Sequence, residues 1–330
     1  MPSPILASQI FFFAPPPVGG GNYGKAGKHV LPQTIRGTPK SLITPMTTPD
    51  AKETPSADFV IPVFGERSAA LSETLSACVN QTHPVSQIFV VDDGSPQPVR
   101  LPHWAQTSSA ICLLRLPENR GISAARNEAI AHSRAPLLAC VNTEVLPSPT
   151  WLGTCASYLS DHPRAGACFA RLLPNRPDRL LTRWRMRFQE PKYVEQSGPV
   201  EFAHGHAVLF RREAVESVGG YDVRFRRHHE DWDICQRMKK AGWESHYVAN
   251  TTCTSIQQDT LKELAAKQLR DSNWYSPAES SLLLLYAHLT KWTFIRAGRN
   301  LVTGRIYFLP IDAAIWATAL WMATIRTLRS

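Results

Sequence analysis

No two of the seven cysteines are spaced C-x-x-C, and Cys78, Cys112, Cys140, Cys155, Cys168, Cys235 and Cys253 fall mostly in apolar or helical patterns. That argues against a zinc site or a disulfide framework and predicts buried free thiols in a reducing compartment. No basic residue precedes the short apolar run Ile10-Phe11-Phe12-Phe13, and Pro15-Pro16-Pro17 follows at once. The N-terminus therefore does not read as a secretory signal. Acids are scarce at the other end. From residue 281 to 330, Asp312 alone stands against Lys291, Arg296, Arg299, Arg305, Arg326 and Arg329. Charged residues make up only 19% of the chain and hydrophobic ones 43%, a globular balance. The formal charge of +9 admits nucleic acid, an anionic membrane or a phosphorylated ligand without choosing among them. Aromatics are not interleaved on a basic stripe, which argues against nucleic acid.

Residues 1–56 are rich in Pro, Gly, Thr and Ser without apolar periodicity, and predict a disordered leader. Four β-rich apolar runs follow: 58–63, 87–91, 111–114 and 137–145. Helical spacing separates them. Leu71, Leu75 and Val79 predict a helix over 67–81, and a second is expected at about 123–133 with Ser123 as its N-cap. Pro149 suits the first turn of another helix running to about Leu159. This β-α-β-α-β-α-β order predicts a mostly parallel, Rossmann-like sheet flanked by helices. Right-handed crossovers then bring the strand ends together on one edge. There Pro62-Val63-Phe64-Gly65-Glu66, Asp92-Asp93 and Asn142-Thr143-Glu144 share a crevice.

Residues 172–200 are irregular and Arg/Pro-rich, either a loop over the crevice or a solvated basic face. A strand runs through 205–210 into a short helix, Gly219-Gly220-Tyr221-Asp222 is a turn, and His228-His229-Glu230-Asp231-Trp232-Asp233 opens a helix. Its carboxylates suit the positive end of the helix dipole, but three of them exceed what capping requires. Beyond residue 256 the pattern is helical over 259–272, over 281–294 after the capping box Ser276-Pro277-Ala278-Glu279, and over 306–325. The last run reaches bilayer-spanning length, with Pro310 and Asp312 against it. A membrane-surface helix with basic flanks, a soluble packing helix and a true span are the three readings.

Val60-Ile61-Pro62-Val63-Phe64-Gly65-Glu66, Val90-Val91-Asp92-Asp93-Gly94-Ser95, Glu118-Asn119-Arg120-Gly121-Ile122-Ser123-Ala124-Ala125-Arg126-Asn127 and Gly219-Gly220-Tyr221-Asp222 with Glu230-Asp231-Trp232-Asp233 resemble, in order and spacing, family 2 glycosyltransferases. The resemblance implies a GT-A domain over 57–255 with a C-terminal helical extension over 256–330. It implies a nucleotide-sugar donor site built from Pro62, Phe64, Glu66, Asp92, Asp93 and Arg126, although Asp92 and Asp93 also suit strand-end turns. Asp231, with Glu230 beside it, is similar to the family's general base for inverting transfer. The family's Asp-x-Asp metal motif falls on Asn142-Thr143-Glu144, so Mg2+ or Mn2+ would rest on Glu144 with Asn142 offering a neutral oxygen. The segment 250–255 lacks the histidine many relatives carry there, and the Q-x-x-R-W motif of processive synthases is absent. The expected activity is single-sugar transfer to a glycan or lipid-linked acceptor, in the cytoplasm at the inner face of the cell membrane. The alternative is a sugar-nucleotide-binding protein impaired in catalysis.

Overall fold

Alternate side chains of Ala57–Val63 (β1) go to opposite faces of a sheet, as the pleat requires. Phe59, Ile61 and Val63 enter one core and Val60 the other. Leu137–Val141 (β4) and Ala207–Arg211 (β8) divide in the same way, and the three strands are apolar at every position but Asp58 and Arg211 because both faces are covered. The computed structural model describes residues 55–65, 68–188, 195–275 and 282–328. Glu66, the capping box at 276–279 and all but the last two residues of the expected leader lie outside the described residues.

Ser68–Val79 (α1) and Trp151–Asp161 (α3) cover one face with Leu71, Leu75, Cys78, Trp151 and Leu152. Ile122–His132 (α2), Arg212–Glu216 (α5) and Glu230–Lys240 (α6) cover the other with small residues and Ile234 and Met238. The remaining strands are Val85–Asp92 (β2), Ile111–Arg115 (β3), Val145–Pro147 (β5), Ala165–Pro174 (β6), Gly198–Val200 (β7) and Glu244–Ser255 (β9). Their order is β3-β2-β1-β4-β8-β6-β9-β5, with β7 also on β9. β3, β2, β1 and β4 are parallel neighbours, as expected. The chain leaves β1 toward β2 and β3, then returns to β1's other side as β4, so a topological switch point lies between β1 and β4. Beyond β4 the sheet is mixed: β8 is antiparallel to β4 and β6, β5 and β7 to β9, and β6 is parallel to β9. A buried run of apolar residues looks alike in either direction, so strand polarity in this half was not legible.

Three local expectations are corrected. Ser123 is not the N-cap of α2; Gly121 holds that position, and Ser123 is buried with its Oγ donating to the Phe225 carbonyl at 2.5 Å. α3 starts after Thr150, so Pro149 precedes the helix and its carbonyl accepts from Thr82. The stretch 172–200 is not an irregular loop: β6 continues to Pro174, Leu180–Phe188 forms a helix (α4), and β7 follows. Leu181, Trp184 and Phe188 recur at helical spacing beneath the arginines, and the helix forms because that stripe packs on a third core.

That core joins α4 to Leu261–Tyr275 (α7), Leu282–Val302 (α8) and Leu309–Leu328 (α9). Pro310 stands in the first turn of α9, where its missing N–H costs nothing. Asp312 is buried and accepts from Trp184 Nε1 and Asn300 Nδ2 at 2.8 Å each, with Arg296 Nε at 3.4 Å. Residues Ile306–Ile325 are long and apolar enough to cross a membrane, yet one third of that window is packed inside the protein.

Candidate functional site

The carboxyl ends of β1 and β2 are knitted by short polar bonds. Asp93 N donates to the Val63 carbonyl at 2.9 Å, and Gly65 N to Ser95 Oγ at 2.9 Å. Asp92 accepts from Ser95 N at 2.9 Å, from Val99 N at 3.1 Å and from Arg115. Burial opposes its charge, but Ser95, Val99 and Arg115 hold the Asp92 carboxyl below its ordinary range. Asp93 accepts from Arg120 N at 2.8 Å, Gly121 N at 2.9 Å and Asn119 Nδ2 at 3.1 Å. Both carboxylates are buried and hold the loops that surround the crevice. Gly94 must be glycine: its φ is +65°, and a Cβ there would stand 2.1 Å from the Glu118 carbonyl carbon. Pro62 contributes its carbonyl, which accepts from Thr143 Oγ1 at 2.9 Å, while Phe64 is 46% exposed at the rim.

β4 ends at Val141, and the next three residues turn before β5. Glu144 holds a left-handed φ of 77°, with its N–H on Thr74 Oγ1 at 3.2 Å and its carbonyl accepting from Ile256 N at 2.9 Å. Such a conformation in a non-glycine residue needs surrounding bonds to sustain it. Asn142 faces the other way. Its Oδ1 accepts from Arg126 Nη2 at 2.9 Å, and its N–H donates to the His206 carbonyl at 2.9 Å.

Arg126 is the hub. Fully buried on α2, it reaches Asn142, the Gly205 carbonyl at 2.9 Å and Glu230 Oε1 at 3.0 Å, with its guanidinium 5.1 Å from the centre of the Tyr221 ring. The resemblance implies a place for it in the donor site; its bonds join the β4 end to α6. The three acids of α6 also separate here. Glu230 turns inward to Arg126, and burial pushes its carboxyl above the usual range while Arg126 pulls it back. Asp233 turns outward to Arg237 at 2.7 Å. Asp231 lies between, its Oδ2 accepting from Gly205 N at 2.9 Å and its Oδ1 from Trp232 N at 2.8 Å. A Cβ at position 205 would stand 3.0 Å from Asp231 Cβ, so Gly205 lets the backbone seat that carboxylate.

The turn 203–206 is what the sequence reading missed. His204 packs on Phe169 and Phe202, with ring centroids 5.1 and 4.6 Å away, and His206 bonds the Ala170 carbonyl at 3.2 Å. Burial, with His206 nearby, pushes the His204 pKa down to about 4, against the pull of Asp231. The available signal was a pair of histidines flanking a glycine at the mouth of a strand. Among the described residues, no three His, Cys, Asp or Glu side chains converge as metal ligands. Asn142 is already an acceptor for Arg126, so the residues fit a divalent cation only as a site with one carboxylate, Glu144, the remaining ligands coming from phosphates and waters.

Comparison with known proteins agrees with this fold. "Glycosyl transferase family 2" matches residues 58–219, and "Glycosyl transferase family group 2" matches residues 144–328, over half of the chain. The chain belongs to the family 2 glycosyltransferases, with the GT-A fold. It is similar to an N-acetylglucosaminyltransferase of Rhizobium meliloti (strain 1021), 26% identical over 307 residues, covering 85% of this chain and 72% of the relative. It spans between 56% and 72% of the length of four such N-acetylglucosaminyltransferases. An N-acetylglucosaminyl-diphospho-decaprenol L-rhamnosyltransferase of Mycobacterium tuberculosis (strain CDC 1551 / Oshkosh) is 31% identical over 143 residues, 37% of this chain and 47% of that one. Among solved structures, the mannosyltransferase PcManGT from Pyrobaculum calidifontis in complex with GDP-Man and Mn2+ matches with a TM-score of 0.53 and 20% identity, covering 86% of this chain and 83% of that one. At that identity the likeness establishes the fold.

Proposed function

We propose that the chain moves a single sugar from a nucleoside-diphosphate-sugar to a hydroxyl of a glycan or lipid-linked acceptor, with inversion, at the cytoplasmic face of the cell membrane. The observation that carries this reading is the Arg126 bridge, which ties the strand end bearing Asn142 and Glu144 to the helix bearing Asp231. Pro62, Phe64, Asp92 and Asp93 form the nucleotide side of that edge, with Glu66 assigned to the same site from the sequence. The backbone around Asp92 and Asp93 is rigid, which favours a preorganised pocket for a flat base. Asp231 takes the acceptor hydroxyl proton as the oxygen bonds the anomeric carbon, and the nucleoside diphosphate leaves with the electron pair of the broken bond. Glu230 keeps Arg126 neutralised beneath it. Glu144, with Asn142 beside it, would hold Mg2+ or Mn2+, whose chemistry there is to neutralise the diphosphate.

The test is donor turnover over a panel of UDP-, GDP- and dTDP-sugars, with Asp231→Asn beside the wild type. Loss of a positioned base lowers the transfer rate by about 10²–10⁴ while calorimetric donor binding survives. Wild-type rates in Asp231→Asn would remove Asp231 from the reaction. Donor binding without any turnover by the wild type would favour the second reading, a sugar-nucleotide-binding protein, which the engagement of Asn142 by Arg126 motivates.

A further inference from the structure

α8 has two faces. The inner one packs into the third core through Leu289 and places Asn300 on Asp312. The outer one carries Leu283, Phe294, Ile295, Leu301 and Val302 at 74, 72, 45, 57 and 89% exposure, spaced so that they share a stripe. The helix is about 30 Å long, with Leu283 near its start and the other four in its second half. Past its end, Ile306 is 61% exposed. An apolar band of this extent is rare on a soluble monomer and marks a contact surface.

What covers it is indicated by charge. At the α8–α9 turn, Arg183, Arg187 and Arg305 line a groove of about 450 Å3 with Tyr307, and Arg299 lies close enough to act on Arg187. Burial and the charges of Arg305 and Arg299 depress the Arg187 pKa, so like charges crowd here. Arg183 lies over the Tyr307 ring at 5.3 Å. Lys291 adds a further charge on the outer face of α8. Asp178, next to Pro177 on the groove wall, is paired with Arg176 at 3.2 Å. An apolar stripe edged by cations fits a surface that is apolar inside and anionic at its rim.

We infer that the outer face of α8 and the α8–α9 turn dock into the surface of an anionic phospholipid bilayer, with the apolar side chains in the acyl boundary and the arginines on lipid phosphates. The helix lies in the plane of the interface, and α9 stays packed on its inner side. The docking has a consequence for the site, which rests on the function proposed above. Val145, next to Glu144, pairs with Ser255 on β9, and Ser255 pairs with Pro174, which lines the arginine groove. Two strand spacings, about 10 Å, thus separate the groove wall from Val145, the residue beside Glu144. A docked protein holds its sugar-nucleotide edge beside the lipid headgroups, within reach of a lipid-linked acceptor.

Full-length protein is floated with vesicles of phosphatidylcholine alone or mixed with phosphatidylglycerol, without donor. Wild type binds the mixed vesicles and not the neutral ones, and added salt weakens the binding. Arg299→Gln with Arg305→Gln lowers the partition coefficient about fivefold per charge removed, or about 25-fold together. Phe294→Asp with Val302→Asp abolishes binding. These side chains are exposed, and circular dichroism and the donor-induced thermal shift verify that each variant remains folded. Equal binding to both vesicle types, no binding to either, or unchanged binding by both double variants would overturn the inference. Inorganic phosphate displacing the protein at equal ionic strength would assign the arginines to a soluble anion instead. A dimer that Phe294→Asp with Val302→Asp dissociates in the absence of lipid would assign the stripe to a second copy. Vesicle binding is read without donor and donor turnover without vesicles, so either proposal can fail alone.

Discussion

Arg126 illustrates how one side chain sets the energetics of a site. Its charge is fully buried, which is costly unless geometry and partners compensate. Here Glu230 neutralises it, Asn142 and the Gly205 carbonyl accept two more bonds, and the Tyr221 ring lies against it. Arg126→Gln leaves the Glu230 carboxylate buried without its cation, and is expected to cost about 3–5 kcal/mol in urea denaturation. Donor turnover falls with it, because the β4 end and α6 lose their link. His204 supplies a pH test. An unfolded chain protonates this histidine near 6.5, whereas the folded one resists until about pH 4. Protons therefore favour the unfolded state, and stability is lost as pH falls through that window, by on the order of 3 kcal/mol at most. His204→Gln should flatten that part of the stability–pH curve, measured by denaturation midpoint at each pH.

The C-terminal elements are held by polar anchors inside an apolar core. Asp312 fixes α9 to α4 through Trp184 and to α8 through Asn300 and Arg296. Burial pushes the Arg296 guanidinium down and Asp312 opposes that shift. Arg185 on α4 makes a second buried ion pair with Asp259, at 2.7 Å, just before α7. Asp312→Ala strips the acceptor from three donors and leaves Arg296 without its counter-charge, for an expected loss of about 3–5 kcal/mol by urea denaturation. Leu283→Ala on the outer face of α8 should stay within about 0.5 kcal/mol. Strand and helix positions in the first half of the chain were legible because unbroken apolar runs alternate with helical spacing. α4 was not, because three arginines and a proline-rich approach hid a stripe whose partners lie far downstream, from Leu264 on.

At the scale of the whole molecule, the charge of +9 is expected to serve an anionic surface rather than a nucleic acid. The site edge bears carboxylates, and the described basic groove adjoins the apolar face of α8, with its Tyr307 ring already under Arg183. The protein should elute from a DNA column at or below physiological salt, where a binder neutralising many phosphates is retained. The sequence alone determined the family, the four parallel strands and the residues gathered at their ends, because hydrophobic period and motif order are local properties of the chain. Tertiary structure decided what those residues face. It turned Glu230 inward to Arg126 and set Asp231 against the Gly205 N–H. It also gave Asn142 to Arg126, and packed one third of an apparently membrane-spanning segment inside the protein, with Asp312 buried there. The physical reason is the same in each case: a carboxylate, an amide or an apolar face can serve several partners, and the one it serves is set by residues distant in sequence and brought close by the fold.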